Sequence, residues 1–220
     1  MRLSERDKAI IRDINRFRVM DRDSIAELHF ADKKRPINSA NNVLKRLVAE
    51  GHIRRSTAWG TPYLYLSAES GVKANSAKIP HYLEILRAYK EICAFGKPEV
   101  FVVETKYAKG LAEPDAFFIW RRTPFFLECQ RTFYSQKQVD AKFKRYKALY
   151  DSGLVFGEPW QPADRKVFPY ILVLSESRWS VNGDYPFRVV QAQSFRQFVE
   201  SLKPAKPKPK SSGLVVDLRK

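Results

Sequence analysis

The sequence predicts an α+β protein in two unlike parts. Three helices and a β-hairpin come first, and an α/β unit with a mixed central sheet follows. Three observations predict this. Apolar residues recur at helical spacing in three short segments before residue 50. Two extended stretches joined by a Gly- and Pro-containing turn come next. Beyond residue 80, helices and apolar strand-like runs follow one another as α-β-β-β-α-β.

In the first part, Ser4 and Asp7 form a capping pair that starts a helix, with Ile10, Ile14 and Phe17 on one face and Ile11 beside them. Met20 ends the run. Asp21 caps a shorter helix carrying Ile25 and Leu28. Pro36 is expected to stop any helix at the basic loop 31–36, so Asn38 or Ser39 is the expected cap of the third helix. That helix turns Val43, Leu44, Leu47 and Val48 inward, and Gly51 ends it. Extended stretches 52–57 and 63–67 close the part around the turn 58–62. Three helices and then a hairpin is the order of a winged helix-turn-helix, expected over residues 1–70.

Charge points to the partner class. Of 220 residues, 40 are Lys or Arg and 24 are Asp or Glu, a net charge of +16. Such a surplus favours polyanions. It is concentrated between Lys33 and Arg55, which hold seven basic residues and one acid, Glu50. A helix fits the major groove, where its polar residues reach base edges. Here those residues are Ser39, Asn41, Asn42, Lys45 and Arg46. Lys33, Lys34 and Arg35 precede the helix, where phosphates would lie, and Arg54 and Arg55 sit on the hairpin. Trp59 is either a probe at the wing tip or a half-buried hairpin aromatic. The expected partner is double-stranded DNA, with no cofactor needed for binding. A winged helix used only for protein contact, as an adaptor, is the competing reading.

Other classes are excluded more simply. Cys93 and Cys129 form no CxxC pair and His29, His52 and His81 are scattered, so no zinc motif is present. Lone thiols suit a reducing compartment, the N-terminus lacks an apolar signal core, and no run approaches a membrane span. A cytoplasmic protein with no membrane contact is expected.

A small, polar stretch at 71–80 is the expected linker. The second part, 81–202, starts with a helix over 81–95. Strands are expected over 99–105, 115–121 and 124–132, a helix over 135–150, strands over 168–175 and 187–191, and a helix over 194–202. Asn182-Gly183 reads as a turn between the last two strands. Strand alternation puts Phe126, Glu128 and Gln130 on one face and Phe125, Leu127 and Cys129 on the other.

This order resembles the core of the PD-(D/E)xK nuclease superfamily. Pro114-Asp115 stands where that superfamily has its PD, and Glu128-Cys129-Gln130 where it has (D/E)xK. The resemblance implies a catalytic set of Asp115, Glu128 and position 130, with Asp115, Glu128 and a further acid, Glu84, around Mg²⁺ or Mn²⁺ in an active enzyme. Gln130 replaces the usual lysine and cannot supply its charge. A lysine can migrate to the following helix, where Lys137 and Lys142 are the candidates, and Lys142 and Tyr146 share a face. Pairing of Glu113, Asp115 and Glu128 with nearby cations, without metal, is the alternative. From Arg131 to Tyr150 six basic residues stand against Asp140 alone, either a solvated face or a stripe that tracks a phosphate backbone.

A winged helix before a PD-(D/E)xK-like unit is similar to the replication-relaxation family of bacterial plasmids and mobile elements, through Glu113–Phe118 (EPDAFF), Phe125–Arg131 (FFLECQR) and Lys142–Tyr150 (KFKRYKALY). The resemblance implies a regulator or accessory factor in replication, mobilisation or transcription, often with an incomplete catalytic set. A homodimer or other replication and mobilisation proteins are further partners under it. A Mg²⁺-dependent endonuclease directed by its winged helix is the alternative. The tail, 203–220, alternates Lys and Pro and ends in an apolar stretch at 214–218; it is expected to be an extended arm or a linker to that stretch.

Overall fold

The structure is a computed structural model, and it describes residues 2–130 and 133–203. The expected tail, Lys203 apart, and Arg131 of the basic segment lie outside the described residues. The chain is α+β, with six α-helices among the described residues and a mixed five-stranded sheet. None of these helices is long and apolar enough to cross a membrane.

Helix α1 (Glu5–Phe17) begins with a reciprocal cap: the Ser4 hydroxyl accepts from Asp7 N–H, and the Asp7 carboxylate accepts from Ser4 N–H. It ends at Arg18, whose φ of 67° turns the chain. A short strand that the periodicity did not predict follows, β1 (Val19–Asp21). Asp21 caps α2 (Arg22–Phe30) through Ser24 N–H.

Helix α3 (Pro36–Ala49) corrects the expected start. Pro36 opens the helix, and neither Asn38 nor Ser39 caps it. At the first helical position the missing N–H costs nothing, because that donor has no partner in any helix, and proline's fixed φ suits the turn. Past Ala49, Gly51 takes a φ of 76° and the chain enters β2 (Ile53–Ser56) and β3 (Leu64–Ser67). β3 pairs antiparallel with both β2 and β1, making a three-stranded sheet of order β1-β3-β2.

Helix α4 (Ile79–Ala94) leads to β4 (Val100–Val103), β5 (Ala116–Trp120) and β6 (Thr123–Gln130), an antiparallel meander. Helix α5 (Gln136–Asp151) then crosses over to β7 (Tyr170–Ser175), which runs parallel to β6. β8 (Val189–Ala192) is parallel to β7, and α6 (Phe195–Ser201) follows. The sheet order is β4-β5-β6-β7-β8. Asn182-Gly183 therefore does not close a hairpin: parallel neighbours need a crossover, and the dipeptide lies within that longer loop.

Each face of β6 has its own core. Phe126 packs with Val139, Phe143 and Tyr146 of α5. Phe125, Leu127 and Cys129 face α4 and α6 in a second cluster, which continues without a break into Ile10, Ile14, Leu44 and Leu66 of the first part. Phe17 is the hinge of that continuity: its ring centroid lies 5.0 Å from Tyr89 of α4 and 5.9 Å from Phe101 of β4. Residues 71–74 are tied to the hairpin as well, because Ala74 C=O accepts from Ser56 and from Trp59.

Truncating Phe17 removes the ring that joins the two parts. Phe17→Ala is expected to lower the unfolding free energy by about 3–5 kcal/mol, read from urea denaturation. A loss below about 1 kcal/mol, within the range of a surface change, contradicts this packing.

Candidate functional site

Two regions gather the polar residues that the sequence singles out. The first is the outer side of α3. Ala40, Leu44 and Leu47 take up its inner side, so Asn38, Asn41, Asn42 and Lys45 face solvent at helical spacing. The exposed loop Lys33-Lys34-Arg35 leads into them, and Ser39 is half-buried at the edge. No acid lies on this face; Glu50, beyond its end, is 3.6 Å from Arg46. Among the described residues no ion pair engages Lys34, Arg35 or Lys45, whereas Lys33 reaches Asp32 at 3.0 Å.

Three residues expected to face a ligand have internal partners instead. Arg46 donates to Asp7 at 2.6 Å, and Asp7 is 2 % exposed. Burial raises the Asp7 pKa, but Arg46 and the Ser4 cap outweigh it and hold the carboxyl below its usual range. Arg46 thus clamps α3 to α1. Arg54 donates to the carbonyls of Ser67, Ser70 and Val72, and fastens the hairpin to the chain that follows it. The Trp59 indole donates to Ala74 C=O at 2.9 Å, while 43 % of the residue stays exposed. Arg55 remains on the surface, its guanidinium over the Tyr63 ring at 5.2 Å.

The second region lies where β5 and β6 meet α4 and α5. Glu128 points from β6 toward α5 and is 1 % exposed. Lys142 pairs with one of its oxygens, and the Tyr146 hydroxyl donates to the other at 2.5 Å. The spacing of four residues on α5 carries both donors to one carboxylate. Asp115, just before β5, accepts from Cys129 N–H at 2.7 Å and meets His81 Nε2 at 3.0 Å. Gln130 ends β6 opposite Ser175, half-buried. Glu113 is at the surface, 3.2 Å from Lys106.

Burial dominates the electrostatics here. It pushes the Glu128 pKa up to about 7, against the pull of Lys142 and Tyr146, and Asp115 adds to the rise. Burial opposes the charge on Lys142 too, but Glu128 and Asp115 outweigh it and raise its pKa, so Lys142 stays an ammonium. The hydrogen bond with Asp115 raises the His81 pKa.

The four carboxylate oxygens of Asp115 and Glu128 each accept a bond from the protein's own donors. A divalent cation needs several of those same oxygens. Glu84, expected as a third acid, accepts instead from Arg87 at 3.1 Å, one turn on along α4. Among the described residues no group of three His, Cys, Asp or Glu side chains could hold a metal ion. As arranged, these residues do not fit Mg²⁺ or Mn²⁺. What they form is a network of two carboxylates, Glu128 buried and Asp115 partly so, met by His81, Lys142 and the neutral Tyr146 hydroxyl. His81 is the member that sequence reasoning missed; a single histidine 34 residues before Asp115 carries no local signal.

No family model matches the chain, and no curated protein matches it. Among solved structures it is similar to the small subunit of the heterodimeric restriction endonuclease R.BspD6I, at 17% identity over 58% of this chain and 72% of that chain, with a TM-score of 0.33. A likeness that low carries no argument about this chain.

The network predicts a pH signature. A carboxyl whose pKa rises on folding keeps a proton that the unfolded chain has already lost. Its burial therefore weighs increasingly against the fold as pH climbs from the usual carboxylate value to about 7. His81 acts in the same sense, because its ion pair is complete below its unfolded pKa and is lost as pH rises through the folded value. Removing Lys142 leaves the Glu128 charge uncompensated. Lys142→Met is expected to cost about 3 kcal/mol at pH 8 and clearly less at pH 5, measured by denaturation at both. An equal loss at both pH values contradicts the pairing.

Proposed function

We propose that this chain binds double-stranded DNA by laying the outer side of α3 in the major groove, with the β2–β3 hairpin as a wing against the flanking backbone. In this reading residues 1–70 are a winged helix-turn-helix, 71–80 join it to the second part, and 81–202 are a PD-(D/E)xK-like unit that does not cut. One observation carries it: the solvent-facing side of α3 bears Asn38, Asn41, Asn42 and Lys45 with no acid among them. Asparagine pairs bidentately with adenine, and lysine bonds guanine. Lys34 and Arg35 lead into the helix and Arg55 stands on the hairpin, where phosphates would be met. Arg46 is left out of the reading set, because Asp7 holds it. The basic excess of the whole chain supplies the long-range attraction.

The second part supports the non-catalytic reading through its chemistry. Asp115 and Glu128 bond internal donors, and Gln130 stands where the superfamily has lysine. The motifs that resemble the replication-relaxation family support a plasmid or mobile element as the source of the DNA, with the chain acting as a regulator or accessory factor. An endonuclease is the second reading, and one observation favours it: Lys142 brings to Glu128 the positive charge that Gln130 lacks. That enzyme would first have to release Glu128 from Lys142 and Asp115 from His81.

Selection of a duplex from a random library, followed by anisotropy titrations, tests the first reading. Asn42→Ala and Lys45→Ala are each expected to weaken binding to the selected site on the order of tenfold, and random duplex much less. Affinity should fall steeply with salt as counterions are released. Equal losses on both duplexes, or a flat salt response, remove the claim and favour the adaptor. Supercoiled plasmid with Mg²⁺ or Mn²⁺ is expected to stay intact; nicking that disappears in an Asp115→Ala, Glu128→Ala variant establishes the endonuclease.

A further inference from the structure

We propose that α5 and Phe133, two residues before its Ser135 cap, form a second nucleic-acid surface, for single-stranded DNA, separate from α3. Two independent features point there. Phe133 is 81 % exposed, although it immediately precedes a well-packed residue, Tyr134, whose ring stacks on Trp179 at 5.5 Å. An aromatic ring left in water forfeits the burial that makes phenylalanine worth having in a fold. Along the same helix Lys137, Ala141, Lys144, Arg145 and Ala148 are exposed, because Val139, Phe143, Tyr146 and Leu149 take up its inner side. Among the described residues no ion pair engages Lys137, Lys144 or Arg145, and Asp140 accepts from Gln136. The face is therefore a cationic stripe with an uncovered phenyl ring at its start.

Charge complementarity makes the occupant a polyanion, and the ring narrows the choice. In a duplex the flat faces of the bases are covered by their neighbours. A phenyl ring beside a phosphate-binding stripe stacks on an unpaired base without the cost of unstacking a duplex step. Single strands bind by this combination of cations along the backbone and aromatics under the bases, with little sequence preference. The surface shares no residue with α3, so it goes beyond duplex recognition and rests on that reading only for the kind of polymer bound. A chain with both surfaces could hold a duplex and an adjacent opened strand.

The test uses the full chain with a labelled oligo-dT and, separately, the selected duplex. Phe133→Ala is expected to weaken oligo-dT binding roughly tenfold. It should leave the duplex affinity within about twofold, a smaller change than a missing base-edge pairing would cause. A Lys144→Ala, Arg145→Ala variant is expected to lower the single-strand salt slope by about 1.4, two phosphate contacts at about 0.7 each. Phe133 is at the surface, so its truncation does not threaten folding. If oligo-dT binds the wild type but neither variant weakens it, this surface is overturned while duplex recognition stands. If oligo-dT binding instead falls with Asn42→Ala and Lys45→Ala, both polymers share α3 and the second surface is overturned. If neither polymer binds the wild type, both readings fail.

Discussion

Asp7 lies almost fully buried on α1, where a carboxylate is tolerated only because its charge is met twice: by the Ser4 backbone at the helix start and by Arg46 of α3. Removing Arg46 would leave the buried Asp7 carboxylate with the Ser4 cap alone, so the bond weighs in favour of the fold. Its consequence reaches the surface. By holding Arg46 against α1, it acts with the burial of Ala40, Leu44 and Leu47 to fix the roll of α3 about its own axis. Leu44 and Leu47 then face the core, and Asn41, Asn42 and Lys45 face out. A different roll would bury amides without partners or expose leucines.

The second part solves the same problem at a larger scale. Glu128 is as buried as the leucines around it, and burial makes an unpaired carboxylate there far too costly. Lys142 and Tyr146, one helical turn apart, close both oxygens, and Asp115 is closed by His81 and Cys129 in turn. The network joins β5, β6, α4 and α5 at one point. The same bonds that stabilise it occupy the oxygens that a metal would use. A centre of this kind fixes geometry and gives a pH response.

Much of this was legible in residue spacing. Ser4 and Asp7 announced the first cap, Ser194 to Leu202 the last helix, and alternation in β6 put Glu128 and Phe126 on the face that α5 covers. The spacing of Lys142 and Tyr146 anticipated that both would look the same way. What stayed hidden depended on contacts far apart in sequence. Nothing near Arg46 reveals that Asp7, 39 residues earlier, takes its guanidinium. Nothing near Arg54 reveals the three carbonyls it ties together. Basic residues on a helix or hairpin look alike in sequence whether they face a ligand or the fold. Pro36 was misread because proline both ends and begins helices, and only the tertiary path of α3 decides between them. The pairing of His81 with Asp115 needed the whole meander to be built.

In the proposed reading the outer side of α3, opposite Ala40, Leu44 and Leu47, is the face that meets duplex DNA. Backbone amide shifts of isotope-labelled protein, followed while a short duplex is added, test it most directly. The account predicts the largest shifts from Lys33 to Lys45 and at Arg55, with Glu128 and its neighbours unmoved. Shifts that leave α3 untouched and gather elsewhere would contradict it.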